Sequence, residues 1–101
     1  MARRHRRKRY GTPPSKGWKA AAPKTPNERR EVKAVCGAKA FLQPSRDAYP
    51  VVRKHPRGKA DCKPDCGGVL AAYERARQGN KSPATAKKAL RMAQRMRCSW
   101  R

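Results

Sequence analysis

Residues 66–98 read CGGVLAAYERARQGNKSPATAKKALRMAQRMRC, and this stretch decides the fold. Its first part predicts a helix over residues 67–78, which Gly79-Asn80 ends. Ser82-Pro83 then predicts the start of a second helix over residues 83–97, with serine as the N-cap and proline in the first helical position. Two helices of similar length joined by so short a connection are expected to run antiparallel.

The cysteines follow from this helical hairpin. Cys66 begins the first helix and Cys98 follows the second, so an antiparallel pair places them side by side. Cys62 and Cys66 also have the C-x3-C spacing of structural zinc sites, which Cys36 and Cys98 would complete as a four-thiolate site. Two disulfides account for the same four residues, and four free buried thiols are a third alternative. Spacing does not decide the pairing, because four cysteines allow three connectivities.

Residues 1–31 are expected to form an extended basic arm, and residues 32–101 a small cysteine-stapled module. The arm is rich in proline, alanine and lysine and shows no helical or strand period. Tyr10 and Trp18 in the arm are either exposed or anchored on a base or a protein groove. The candidate nucleic-acid-binding residues in the arm are Arg3, Arg4, Arg6, Arg7, Lys8, Arg9, Lys16 and Lys19.

Between the arm and the hairpin the prediction is mostly irregular structure, punctuated by prolines. Residues 27–35 are predicted as a short helix with Asn27 as its N-cap. Phe41-Leu42 and residues 49–52 are predicted as two short strands. The expected fold is therefore small and mainly α.

The totals restrict the class of protein. The chain has 101 residues and a formal net charge of +22, so one domain is expected and its partners should be anionic, nucleic acid first. Large apolar residues are few, and so thin a core usually needs covalent staples. No apolar run is long enough to span a membrane, and no secretory signal is recognisable. His5 and His55 are expected at the surface, and no residue pattern points to an enzyme.

The second hairpin helix has two predicted faces. Ala86, Leu90, Ala93 and Met96 share an apolar stripe at helical spacing. Another face carries a ladder of three cations, Lys87, Arg91 and Arg95, which is either an ordinary solvated face or a binding face. In a chain this basic we favour the binding face, because adjacent like charges weaken an isolated helix.

Three segments carry a resemblance to a known group of proteins. Residues 36–44 (CGAKAFLQP), residues 49–52 (YPVV) and residues 61–78 (DCKPDCGGVLAAYERARQ) resemble small basic cysteine-rich proteins of nucleocytoplasmic large DNA viruses, such as marseilleviruses and chloroviruses. The resemblance covers about residues 36 to 98. Ala40 and Val52 stand where that pattern has cysteine, and their joint loss implies disulfide pairing rather than a shared metal cluster.

The resemblance implies a virion structural protein without enzyme activity. Its partners would be DNA, bound without sequence specificity, or other virion and assembly proteins, so it would act in DNA packaging or as a minor capsid protein. Its expected locations are the virion and, during assembly, the host cytoplasm or nucleus. No cofactor is expected apart from the zinc alternative. A ribosomal protein whose basic arm penetrates ribosomal RNA is the alternative from composition.

Overall fold

The computed structural model describes residues 17–78 and 82–100 of the chain, and helices dominate them. The elements are helices α1 (Trp18–Ala21), α2 (Pro26–Cys36), α3 (Cys66–Arg77) and α4 (Pro83–Met96), strands β1 (Phe41–Gln43) and β2 (Ala48–Pro50), and single 3₁₀ turns at Ala38–Ala40, Pro44–Arg46 and Lys59–Cys62. The prediction of a small, mainly α fold is confirmed at this level.

The two longest helices, α3 and α4, pack against each other. A disulfide joins Cys66, the first residue of α3, to Cys98, two residues after α4 ends, with a Cα–Cα distance of 5.6 Å. The prediction that these two cysteines are neighbours is confirmed. The Gly79-Asn80 stop lies outside the described residues, and α3 ends at Arg77 with Gln78 as its C-cap.

Alanines dominate the buried face of α4. Thr85, Ala86, Ala89 and Ala93 are buried, whereas Leu90 and Met96 are only half-buried. The predicted stripe therefore lies on the correct side of the helix. The buried face is centred on Ala89, which the prediction did not include. Short side chains allow the axes of packed helices to approach closely, so the larger residues lie at the edges of the contact.

The prediction for α2 was wrong about its N-cap. The helix begins at Pro26, and Thr25 is its N-cap. The Thr25 hydroxyl accepts the Glu28 backbone N–H at 3.1 Å, while the Glu28 carboxylate accepts the Thr25 backbone N–H at 3.2 Å. This reciprocal capping box was present in the sequence as T-P-N-E, with proline in the first helical position.

The two predicted strands pair antiparallel, with Phe41 opposite Pro50 and Gln43 opposite Ala48. The second strand ends two residues earlier than expected, because Val51 and Val52 turn into the core and are almost fully buried. Tyr49, in the middle of β2, has a φ of 57°, a left-handed conformation that is strained for a bulky residue.

Residues 17–31 differ from the expected extended arm, because they are partly helical and packed on the module. Trp18 is buried, and its indole stands over Gly68 at the start of α3. The Lys54 backbone N–H also donates to the Ala21 carbonyl at 2.8 Å. Burying one indole removes a large apolar area from water. This gain holds the segment on the module although the sequence around Trp18 has no helical period. Tyr10 and the rest of residues 1–16 lie outside the described residues.

The core is thin, as its composition indicated, and it includes the sulfur of both disulfides. Cys36 ends α2 and is bonded to Cys62 in the last 3₁₀ turn, with a Cα–Cα distance of 5.4 Å. Around these bridges lie the largest fully buried side chains, namely Phe41, Val32, Val51, Val52 and Val69. Both bridges therefore pack against the same small apolar cluster, and each links two segments that surround it.

Candidate nucleic-acid interface

Helix α4 presents a cationic face that contains no acidic residue. Lys87, Arg91 and Arg95 are exposed and follow one another at four-residue intervals, so they lie along one side of the helix. The whole of α4 is free of aspartate and glutamate. In the described part of the chain, none of these three cations takes part in an ion pair.

A fourth cation of α4 has a structural role instead. Lys88 Nζ donates to the Leu42 carbonyl oxygen at 3.1 Å, which ties α4 to β1. Gln43 of the same strand donates from Nε2 to Thr85 Oγ1 at 2.9 Å and to Ser82 Oγ at 3.1 Å. These bonds fix the orientation of α4 on the module and leave the Lys87–Arg91–Arg95 side facing outward.

Most of the acidic residues have partners outside α4. Asp47 pairs with Lys33 at 2.9 Å, and Glu31 Oε1 lies 2.8 Å from His55 Nδ1. Asp61 accepts the Arg57 backbone N–H, and Asp65 caps α3 by accepting from Gly67 and Gly68. These carboxylates therefore stabilise turns and helix starts and do not neutralise the face of α4.

The Glu28 carboxylate is held by backbone donors at the start of α2. Backbone N–H groups of Lys24 and Thr25 donate to its carboxylate, and they hold the pKa of Glu28 below its usual value. Lys54 Nζ, 3.8 Å away, lowers the pKa further. Hydrogen bonds to the ionised form favour that form, so Glu28 keeps its charge into mildly acidic solution.

An aromatic and cationic stack lies on α3, and the sequence did not point to it. Tyr73 and Trp100 are stacked with ring centroids 5.6 Å apart, and the Arg77 guanidinium lies 5.2 Å from the Tyr73 ring centroid. The Trp100 indole N–H donates to the Cys66 carbonyl at 3.0 Å. The available signal was the position of Trp100, two residues after the cysteine that fastens α4 to α3.

A basic cavity of about 360 Å³ opens between α1, α2, β2 and α3. Its walls include two aromatic side chains, Trp18 and Tyr49, and four cations, Lys19, Lys24, Arg29 and Arg75. Arg29 is half-buried and donates to two backbone carbonyls, from Nε to Pro23 at 3.0 Å and from Nη1 to Asp47 at 2.9 Å. The guanidinium is therefore fixed in place while its charge remains uncompensated.

The candidate nucleic-acid-binding residues fall into three groups in the structure. Lys87, Arg91 and Arg95 share the outer face of α4. Lys19 lies on α1 at the basic cavity, apart from that face. The remaining candidates, from Arg3 to Lys16, lie outside the described residues, so the structure does not bring them together with either group.

The four cysteine sulfurs are bonded as Cys36–Cys62 and Cys66–Cys98, which shows the disulfide alternative. Sulfurs in disulfides offer no thiolate to a metal ion. Within residues 17–78 and 82–100, no group of three or more histidine, cysteine, aspartate or glutamate side chains could hold a metal. His55 is exposed, in agreement with its expected surface position.

Among the described residues, no helix has the length and apolar character required to cross a membrane.

Comparisons with protein-family models, with curated proteins and with solved structures found no match to this chain.

Proposed function

We propose that this protein is a non-enzymatic structural protein that binds nucleic acid through phosphate contacts, without reading sequence. The observation that carries the proposal is the outer face of α4. Its three exposed cations have no ion-pair partner in the described residues, and the helix has no acid of its own. Such a face is costly in self-repulsion unless a polyanion covers it.

The basic N-terminal segment extends the proposal. Residues 3–9 carry six permanent cations and no acid, so they add phosphate-binding capacity whatever their conformation. Phosphate contacts position a protein on nucleic acid but carry no sequence information. We therefore propose duplex DNA as the partner, bound with little preference among sequences.

The proposed setting is a virion of a large DNA virus, with DNA packaging or a minor capsid role. The resemblance of residues 36–98 to basic cysteine-rich virion proteins supports this setting. The two disulfides agree with it better than with a ribosomal protein, because disulfides are rare in the reducing cytosol. Fractionation that places the protein in ribosomes instead of particles would favour the ribosomal alternative.

The salt dependence of duplex binding tests the proposal. The logarithm of affinity should fall linearly with the logarithm of salt, with a slope of about −0.9 per phosphate neutralised. Lys87→Gln, Arg91→Gln and Arg95→Gln together should flatten the slope by about 2–3 units. Deleting residues 3–9 should flatten it by several units, equally for unrelated DNA sequences.

A matched control separates a binding face from total charge. Lys39, Lys59 and Lys63 are exposed and are not part of α4, and changing all three to glutamine removes the same charge. This control should change the slope by less than one unit. Equal effects of the two triple variants would contradict an interface on α4. Absence of duplex binding by the intact chain at about 0.15 M salt would favour a row of acidic residues on a capsid protein as the partner.

A further inference from the structure

The basic cavity between α1 and α3 differs from the face of α4 in kind. The α4 face is convex and purely cationic, whereas the cavity is concave and combines aromatic with cationic side chains. Its volume of about 360 Å³ is near the lower end of the size range of small-molecule sites. A single small group can enter it, and a helix or a duplex cannot.

The charges of the cavity select an anion. Lys19, Lys24, Arg29 and Arg75 line it, and no carboxylate in the described residues pairs with any of them. The two acids whose residues hydrogen-bond to lining residues, Glu28 and Asp47, are occupied elsewhere. Asp47 pairs with Lys33, and Glu28 is held by the N-cap backbone of α2. Arg29 is held by two backbone carbonyls, so it meets a ligand without first having to be ordered.

The aromatic side of the cavity selects a flat group next to that anion. Tyr49 is half-buried, and no hydrogen bond from its hydroxyl is found within residues 17–78 and 82–100. Its left-handed φ of 57° is a strained conformation that the surrounding structure has to maintain. Strain of this kind concentrates at ligand sites, and here it fixes the direction of the ring.

From these contacts we infer that the cavity binds one unpaired nucleotide unit of a nucleic-acid strand, with its phosphate on Arg29 and Arg75 and its base against Tyr49. A base can reach an aromatic side chain only when it is not paired within a duplex. The cavity thus gives the protein a preference for strand ends or single strands, which the α4 face does not supply. The inference depends on the proposed function only for the class of partner.

Titration with small probes tests the cavity directly. Deoxyadenosine monophosphate should shift the Trp18 indole resonance in a nitrogen–proton NMR spectrum, and the Trp100 indole should serve as an internal reference because it lies with Tyr73 outside the cavity. Deoxyribose 5-phosphate, which lacks the base, should bind about ten-fold more weakly, since stacking of one base contributes that much. Equal affinity for the two probes, or no saturable shift with either, would overturn the inference.

Variants identify the residues involved. Arg75→Gln should weaken nucleotide binding about ten-fold, because it removes a charged hydrogen-bond donor with no structural partner. Tyr49→Asn should also weaken it, since asparagine tolerates the left-handed backbone but lacks the ring. Tyr49→Phe keeps the ring and should retain binding. Full binding by the Tyr49→Asn variant would overturn the role of the ring.

Arg91→Gln is the control that separates this site from the proposed duplex interface. It removes the same charge as Arg75→Gln, so it should leave the nucleotide titration unchanged while flattening the duplex salt slope by about one unit. A normal duplex slope with no nucleotide binding would overturn the cavity site and leave the proposed function standing. A tetra-aspartate peptide that saturates the cavity more tightly than the nucleotide would make the ligand an acidic protein segment and overturn the inference.

Discussion

Two halves of the described structure are closed by similar covalent loops yet are built differently. Residues 17–65 contain the Cys36–Cys62 bridge, with a sequence separation of 26, and residues 66–100 contain the Cys66–Cys98 bridge, with a separation of 32. The first half combines helices of 4 and 11 residues with turns and a small sheet. The second is two regular helices that pack together.

The halves differ most in where the acidic residues are. Of the six in the chain, five lie in residues 17–65, and Glu74 alone lies in the helical pair. A helix satisfies its own interior backbone, whereas turns and helix starts leave N–H groups that need acceptors. Glu28, Asp61 and Asp65 accept such N–H groups. A strongly basic chain thus retains carboxylates where its backbone needs them, and its regular helices carry cations outward.

Removing either bridge should have the largest effect. The loop-closure estimate gives about 3–4 kcal/mol for each, because the two loops are of similar length. We expect Cys36→Ala with Cys62→Ala, and Cys66→Ala with Cys98→Ala, to lower the free energy of unfolding by similar amounts in urea titrations. A loss below about 1 kcal/mol for the second pair would show that packing alone holds α3 to α4.

Mass spectrometry under non-reducing conditions checks the premise of that prediction. With both bridges formed, the chain should gain four hydrogens on reduction, two for each disulfide. One zinc ion per chain, released by a chelator with loss of helix signal, would contradict the disulfides.

The contact between the halves at Gly68 should have the next largest effect. A Cβ at this position would lie 2.8 Å from the Trp18 ring, so Gly68→Ala should destabilise the fold by about 1–3 kcal/mol. Helix propensity alone would favour alanine by about 1 kcal/mol. In a Trp18→Ala background the sign should therefore reverse, and Gly68→Ala should stabilise.

Gly58→Ala is the control for this pair of variants. An added Cβ at Gly58 meets nothing within 4 Å, and the backbone there is extended. Its effect on the free energy of unfolding should stay within about 0.5 kcal/mol. If Gly68→Ala behaves like Gly58→Ala in the wild-type background, Trp18 does not pack on α3.

Removing one carboxylate at a helix start and one on a regular helix tests whether the two kinds of acid differ in their contribution to stability. Asp65→Ala should cost about 1 kcal/mol of unfolding free energy, because it leaves two N–H groups at the start of α3 without their acceptor. Glu74→Gln should change stability by no more than about 0.5 kcal/mol, since Glu74 is exposed on a regular helix. Equal costs measured by denaturant titration would remove the distinction between the halves.

The sequence predicted the helical pair, α2 and the two strands, but not how distant segments of residues 17–65 pack together, for a physical reason. Helical spacing and the Ser82-Pro83 start are local signals, so α3, α4 and the meeting of Cys66 with Cys98 could be predicted. Burial of Trp18 on Gly68 depends on a contact across 50 positions and has no local signature. The Cys36–Cys62 pairing and the cavity at Tyr49 likewise arise only when distant turns pack together.

The smallest effect should come from Glu28, and it concerns pH. The folded-state pKa of Glu28 is lowered below its ordinary value of about 4.5, so between the two pKa values the unfolded chain binds more protons than the folded one. The stability that Glu28 contributes is complete above about pH 4.5 and is lost as the pH falls through the lowered folded-state pKa. Stability in this range should therefore rise with pH.

Glu28→Gln should remove this dependence while keeping the capping box, because glutamine can still accept the Thr25 N–H. Urea titrations from about pH 3 to 7 should show wild type losing its advantage over Glu28→Gln as the solution becomes acidic. Glu74→Gln is the matched control for the removal of one carboxylate charge. Parallel curves for wild type and Glu28→Gln would mean that the ionised carboxylate of Glu28 is no more stable in the folded chain than in the unfolded one. The carboxylates that accept backbone N–H groups would then have no electrostatic advantage over Glu74.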